Sequence, residues 1–174
     1  YTLDGSEPTA ASPRYTGPVE IGKSTRFRAT ALREGGENAS YSREFAFSKS
    51  TGRPAVLNTK PNDSYTFEGA SLLVDGYHSR PVFTSGAWLG YLDEPLDVTI
   101  DMGGEQSYRS VELETLAEKG DWIFPPSSVT VWVSDNGTDF TEVASVMVPE
   151  AKAGDADGIG RYRMQFPETS ARYL

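Results

Sequence analysis

The clearest pattern along the chain is a period of two, in which apolar and polar residues alternate over short stretches. This pattern occurs in residues 26–31, 96–102, 111–115, 129–133 and 161–166. A strand with one buried and one hydrated face gives such alternation. No helical period accompanies these runs, so the pattern predicts an all-β protein.

Turn-forming residues separate the alternating runs. The sequence SDNGTD at 134–139 places Asn-Gly between two runs and predicts a β-hairpin. A loop is predicted at EGGEN, residues 34–38, followed by a strand that Phe45 and Phe47 close. Residues 65–91 have no period, and a loop of this length in a compact domain usually carries a function or is anchored by an ion.

A polar stretch without a period divides the chain. We predict that this stretch, SKSTGR at 48–53, is a linker between domains 1–47 and 54–174. The first domain is too short to be comfortably stable alone. The short strands and Gly/Pro turns of the second predict an antiparallel β-sandwich.

Composition limits the partners that the chain can bind. The 174 residues include no cysteine, which excludes disulfides, zinc–thiolate sites and thiol nucleophiles. The net charge is −9 and no Lys/Arg cluster occurs, so neither nucleic acid nor an anionic membrane is a predicted partner. No stretch approaches the roughly 20 apolar residues that a membrane span needs.

The sequence motifs of common catalytic sites do not occur. His78 is the only histidine, and no Gly-x-Ser-x-Gly motif accompanies it. No phosphate-binding Gly-x-x-x-x-Gly-Lys motif is present. The adjacent carboxylates Asp93 and Glu94 precede Pro95 and predict an exposed loop instead of a glycosidase pair. We therefore predict that this chain is not itself an enzyme.

The start of the chain carries a resemblance to a known family. The sequences YTLDGSEPT at 1–9 and SPRYTGP at 12–18 resemble the C-terminal domain of chitobiases and β-hexosaminidases. This resemblance implies a small immunoglobulin-like sandwich, partial in residues 1–47 because the chain begins inside a strand-like motif. It also implies a parent glycoside hydrolase of family 20, a β-N-acetylhexosaminidase whose upstream catalytic domain is a partner. The implied location is periplasmic, cell-surface or secreted.

A second resemblance covers the rest of the chain. The sequences LVDG, WLGY and VTIDMG at 73–76, 88–91 and 98–103 are similar to the discoidin, or coagulation factor 5/8 type C, domain. WIFPP at 122–126 and SDNGTDF at 134–140 add to this similarity. The resemblance implies a galactose-binding-domain-like jelly-roll β-sandwich, related to carbohydrate-binding modules, that lacks a closing strand at its C-terminal end.

Four residues are candidates for carbohydrate binding. Sugars are bound by aromatic faces together with side chains that hydrogen-bond their hydroxyls. Tyr77, His78 and Arg80 supply both types in one loop, although chance composition or docking on a neighbouring domain would explain them equally. Trp122 follows a loop signal and either stacks on a sugar or is pinned to its own domain by the Ile-Phe-Pro-Pro that follows.

The other two tryptophans have different expected roles. Trp88 stands where the discoidin-like family has a core tryptophan, and the resemblance implies that it packs in the core. Trp132 is out of phase with Val131 and Val133, which places it on the opposite face of its sheet, where it could contact another domain.

Asp75 matches the family aspartate that often binds a structural calcium ion, and the alternative is that it only caps the Asp-Gly turn. Three functions follow as hypotheses. The chain is an accessory region whose second domain binds carbohydrate, a pair of structural domains that brace the catalytic barrel, or a protein-adhesion module.

Overall fold

A computed structural model describes residues 1–32, 35, 39–152 and 154–174, and its strands confirm the all-β class. The strands are Thr25–Ala31 (β1), Ala39–Phe45 (β2), Ala55–Leu57 (β3), Val98–Ala117 (β4), Ser128–Val133 (β5), Thr141–Met147 (β6) and Gly158–Tyr173 (β7). Short 3₁₀ helices span Asp63–Tyr65, Gly69–Leu73, Phe83–Ser85 and Lys119–Asp121. The described ranges contain no α-helix. The immunoglobulin-like and jelly-roll arrangements stay predictions.

The chain divides into two compact units. Unit 1 comprises Tyr1–Thr51 and Gly76–His78, and unit 2 comprises Gly52–Asp75 and Ser79–Leu174. The first change of unit falls between Thr51 and Gly52, inside the segment predicted as a linker. The predicted loop at 34–38 lies outside the described residues, apart from Gly35.

Unit 1 is built on the antiparallel hairpin of β1 and β2, which pair from Thr25 with Phe45 to Ala31 with Ala39. Phe47 was predicted to close β2, and that prediction is wrong because the strand ends at Phe45. After Phe45 the backbone amides donate hydrogen bonds to groups outside the β1–β2 pair. The Ala46 amide donates to the Gly76 carbonyl at 2.7 Å, and the Phe47 amide donates to Ser24 Oγ at 3.0 Å.

The main sheet of unit 2 has the strand order β3-β4-β7, with both pairings antiparallel. Residues 96–102 and 111–115 were predicted as separate strands, but both fall mainly within the single 20-residue strand β4. The register shifts between Asp101 and Gln106 and again between Tyr108 and Ser110. Gly103, at a φ of 77°, adopts the left-handed backbone that lets the strand continue through the first irregularity.

The predicted hairpin at 134–139 is confirmed between β5 and β6. Asn136 Oδ1 accepts hydrogen bonds from the amides of Thr138 and Asp139, both at 2.9 Å. Gly137 has a φ of 77°, and the Tyr173 ring lies 3.3 Å from the position of a Cβ at this residue. Glycine is therefore required at the tip for both its conformation and its size.

The core of unit 2 lies among β4, β5 and β7. Its buried members are Met102, Tyr108, Val131, Val133, Met164, Phe166 and Ala171. Trp132 is 46% exposed between two buried valines, as the alternation predicted. The period of two therefore assigned the faces of β5 correctly.

Met102 is the largest side chain that is almost completely buried, with 1% exposure. We expect Met102→Ala to lower the free energy of unfolding by about 2–5 kcal/mol, because it removes packed atoms and leaves a cavity. Urea unfolding would measure this change. Met147→Ala is the control, since Met147 is 76% exposed, and equal losses in the two variants would contradict the assigned core.

The end of β7 is joined to the start of β4 by an ion pair. Arg172 donates to the two carboxylate oxygens of Asp101 at 2.9 and 2.8 Å. These hydrogen bonds, with one from the Gly103 amide, lower the pKa of Asp101 from 3.8 to about 2. A carboxylate whose pKa is lower in the folded state adds stability above its unfolded pKa and loses it as the pH falls.

We therefore expect the thermal midpoint to fall between about pH 4 and pH 2 partly because Asp101 becomes protonated. Asp101→Asn should lower the midpoint at neutral pH and flatten its decline across that interval. Differential scanning calorimetry at stepped pH would measure both effects. Glu105→Gln, on the same strand, is the control, and an unchanged slope in Asp101→Asn would exclude this role.

Candidate functional site

Trp122 is the most exposed of the large apolar side chains in the described residues, at 84%. It ends the 3₁₀ helix Lys119–Asp121 and has φ 61° and ψ 28°. Left-handed backbone is disfavoured for a residue with a bulky side chain. The structure thus holds this tryptophan in a costly conformation in which its ring faces solvent.

Backbone hydrogen bonds form the loop that presents Trp122. Glu118 and Ile123 form a bridge in which each amide donates to the other residue's carbonyl, at 2.9 and 3.1 Å. The Asp121 amide donates to the Glu118 carbonyl at 2.9 Å, and the Trp122 amide donates to the Lys119 carbonyl at 3.2 Å. The segment is therefore a closed turn whose own main chain fixes the position of the tryptophan.

Lys119 anchors this turn to a segment far along the chain. Its Nζ forms an ion pair with Asp157 and donates to the Asp155 carbonyl at 2.8 Å, while its amide donates to Asp157 Oδ1 at 3.2 Å. The hydrogen bonds from Lys119 lower the pKa of Asp157. Sequence reasoning missed this pair, because the two residues lie 38 positions apart and share no motif.

Phe124 is the second exposed aromatic residue of this region, at 53%. Its ring centroid lies 6.4 Å from that of Trp122, with 79° between the ring planes. We call these two residues the aromatic platform. Two exposed rings at nearly right angles offer one face for stacking on the C–H surface of a sugar and a second surface beside it.

The structure separates the three residues predicted beside Asp75. Tyr77 and His78 belong to unit 1, and Arg80 belongs to unit 2. The Tyr77 ring centroid lies 4.9 Å from that of Phe45, and the Arg43 guanidinium lies 3.6 Å from the Tyr77 ring centroid. Tyr77 therefore packs within unit 1, and a role of these three residues in sugar binding stays a prediction.

Trp88 is half-buried, and its indole Nε1 donates to the Arg80 carbonyl at 2.8 Å. Asp75 is also half-buried, and Gly76 after it has a φ of 77°, which suits an Asp-Gly turn. Within the described ranges, no group of three or more His, Asp or Glu side chains could hold a metal ion. The calcium role of Asp75 remains a prediction.

Comparison with known proteins shows a similarity for one part of the chain. The sequence model of the chitobiase/beta-hexosaminidase C-terminal domain matches residues 1–43. No curated protein matches the chain. None of the helices in the described residues is long and apolar enough to cross a membrane. The match supports the resemblance that the first segment of the sequence indicated.

The left-handed backbone conformation of Trp122 leads to a prediction about the stability of the protein. We expect Trp122→Gly to leave the free energy of unfolding unchanged or raise it by up to about 1 kcal/mol, because glycine adopts left-handed backbone without a penalty. Phe124→Gly is the control, since Phe124 is not among the non-glycine residues with positive φ, and it should lower stability. Urea unfolding would compare them, and a large loss in Trp122→Gly would mean that the ring packs in solution.

Proposed function

We propose that this chain is a non-catalytic accessory region of a β-N-acetylhexosaminidase and that unit 2 binds neutral carbohydrate through the aromatic platform. The family match to residues 1–43 supports the first part. The exposed and conformationally strained Trp122 carries the second. The binding would hold the parent enzyme close to glycan.

Strain at Trp122 is the main argument for a ligand. A residue kept in a sparsely populated backbone region is often retained for a functional reason. A ring with 84% exposure contributes little to the packing of unit 2. Stacking on a sugar would remove the apolar surface of that ring from water, and the hydrophobic free energy of this burial would favour binding.

Charge favours a neutral ligand over an anionic one. Glu118 and Asp121 lie in the turn that presents the platform, and the whole chain carries a net charge of −9. An acidic glycan would meet like charge there. Neutral sugars interact through stacking and hydrogen bonds, so the negative charge near the platform does not repel them.

The bracing function is a second candidate, and a specific observation favours it. Unit 1 exposes several large apolar side chains, namely Leu3, Tyr15, Leu32 and Tyr41, by 45% to 69%. All four lie within the matched residues 1–43. Such side chains suit a contact with the upstream catalytic domain. Bracing by unit 1 and sugar binding by unit 2 use different residues and are compatible.

The remaining hypotheses enter the same test. Tyr77, His78 and Arg80 are proposed as a further sugar contact, Asp75 as a calcium ligand, and protein adhesion as an alternative activity. Each sugar is therefore titrated with and without calcium. Backbone resonances of 75–80 report on the first two proposals.

We expect N-acetylglucosamine, N-acetylgalactosamine, galactose or chitobiose to shift the indole Nε1 resonance of Trp122 in ¹⁵N-HSQC spectra, with saturation at millimolar concentrations. Trp122→Gly should abolish the shifts in its neighbours because it removes the stacking surface. Trp132→Ala is the matched control, since Trp132 is the other tryptophan with a large exposed fraction, 46%. That variant should bind like the parent chain.

Two results would contradict the proposal. If no resonance moves at tens of millimolar of any sugar, unit 2 is not a carbohydrate-binding domain and bracing is the better account. If the shifts survive in Trp122→Gly and disappear in Trp132→Ala or Tyr77→Ala, the aromatic platform is not the site.

A further inference from the structure

A groove in unit 2 adjoins the segment that carries the aromatic platform. Its volume is about 360 Å³, at the lower end of the range of roughly 300–1,000 Å³ for small-molecule sites. Lys119 and Pro125, which flank the platform in sequence, both line the groove. The groove brings together the turn after β4 and the segment that leads into β7, since its other walls are Ala117, Val148, Pro149, Ala151, residues 155–160 and Tyr162.

Gly160 is one of the residues that line the groove. It pairs with Thr115 of β4, and Tyr162 follows two residues later on the same face of β7. A Cβ at Gly160 would lie 3.1 Å from Thr115 Oγ1 and 3.2 Å from the Tyr162 hydroxyl. Both distances are shorter than an ordinary carbon–oxygen contact, so glycine is what lets the two hydroxyl groups lie this close to the backbone of β7.

The Thr115 hydroxyl is shielded from solvent and has no hydrogen-bond partner in the described part of the chain. A buried polar group without a partner costs about 1–3 kcal/mol, so native structures rarely retain one without a reason. The Tyr162 hydroxyl lies beside Gly160, and Tyr162 is one of the residues that line the groove. Thr115 and Tyr162 do not hydrogen-bond to each other in this structure, so a bond between them requires a ligand that moves the Tyr162 hydroxyl toward Thr115.

The charges that line the groove nearly cancel, so the groove has no strong preference for a cation or an anion as ligand. Lys119, Asp155 and Asp157 are the charged side chains among the lining residues, and they sum to −1. Lys119 and Asp157 already form an ion pair. The apolar lining includes Pro125, Val148, Pro149 and Ile159. This mixture of apolar walls and hydroxyl groups matches the surface of a neutral sugar.

We infer that this groove is a subsite for one neutral pyranose unit, with the Tyr162 hydroxyl as its direct contact and Thr115 as a positioning residue. The inference rests on the proposed function, because the platform would hold the adjoining part of the same glycan. Binding lets the Tyr162 hydroxyl donate to a sugar oxygen and accept from Thr115. The chain of hydrogen bonds satisfies the buried Thr115 hydroxyl, which has no partner in the residues that the structure describes.

The test is calorimetric or NMR titration of the full 174-residue chain with N-acetylglucosamine, galactose, glucose and glucuronate. Tyr162→Phe should weaken binding of the neutral sugars about fivefold and Thr115→Val about threefold, as expected for the loss of single hydrogen bonds. The double variant should bind like Tyr162→Phe alone, since Thr115 acts through that hydroxyl. Thr115→Val should not lower the urea midpoint.

Displacing the Tyr162 hydroxyl should have a larger effect. Gly160→Ala places a methyl group 3.1 Å from Thr115 Oγ1 and 3.2 Å from the Tyr162 hydroxyl, which pushes the hydroxyls aside and should weaken binding about tenfold. Gly104→Ala is its control, since a Cβ there meets no atom within 4 Å. Thr130→Val is the control for Thr115→Val, since the Thr130 hydroxyl lies on β5 and is paired with Ser145 at 3.0 Å. Both controls should bind like the parent chain.

The outcomes separate the subsite from the proposed function. If Trp122→Gly abolishes binding while Tyr162→Phe and Gly160→Ala bind normally, the platform stands and the groove is excluded. If no sugar binds the parent chain, both ideas fail. Additive losses in the double variant, a lower urea midpoint in Thr115→Val, or glucuronate binding as tightly as glucose would each overturn the subsite.

Discussion

The structure of unit 2 depends on the antiparallel pairing of β4 with β7, which runs from Asp101 with Tyr173 to Ala117 with Gly158. This pairing places Met102 and Tyr108 of one strand beside Met164 and Phe166 of the other in a single core. It also fixes the chain end, where the amides of Ile100 and Leu174 each donate to the other's carbonyl. Because partners up to 72 residues apart are brought together, the pairing sets the position of every loop that follows these strands.

The candidate site is one consequence of this pairing. At the far end of the two strands, the turn after β4 meets the segment before β7, and Lys119 joins them through Asp157 and the Asp155 carbonyl. The same end holds Gly160 and, next to it, the Thr115 hydroxyl, which has no hydrogen-bond partner among the described residues. Strained backbone and a buried hydroxyl without a partner each cost stability, and an exposed tryptophan adds little to it. Their occurrence in one region is the physical basis for proposing a ligand there.

Local patterns predicted the parts of the molecule that depend on neighbouring residues. The period of two identified the all-β class and the faces of β5, because side chains alternate regardless of what a strand pairs with. Asn136 and Gly137 identified the hairpin, because a tight turn needs the left-handed backbone that glycine supplies. For Trp122 the loop signal left open whether the ring is free or pinned to its own domain, and the structure leaves its side chain 84% exposed.

The sequence by itself determined the all-β class, the hairpin and the absence of common catalytic motifs, since each of these follows from residue types a few positions apart. Only the tertiary structure decided that residues 98–117 form one strand, because its irregular middle is held by the partner β7. The tertiary structure also assigned Tyr77 to unit 1, where it contacts Phe45 and Arg43. Lys119 with Asp157, and Thr115 with Gly160, become neighbours only when distant strands pair. Contacts of that kind leave no periodic signal in one sequence.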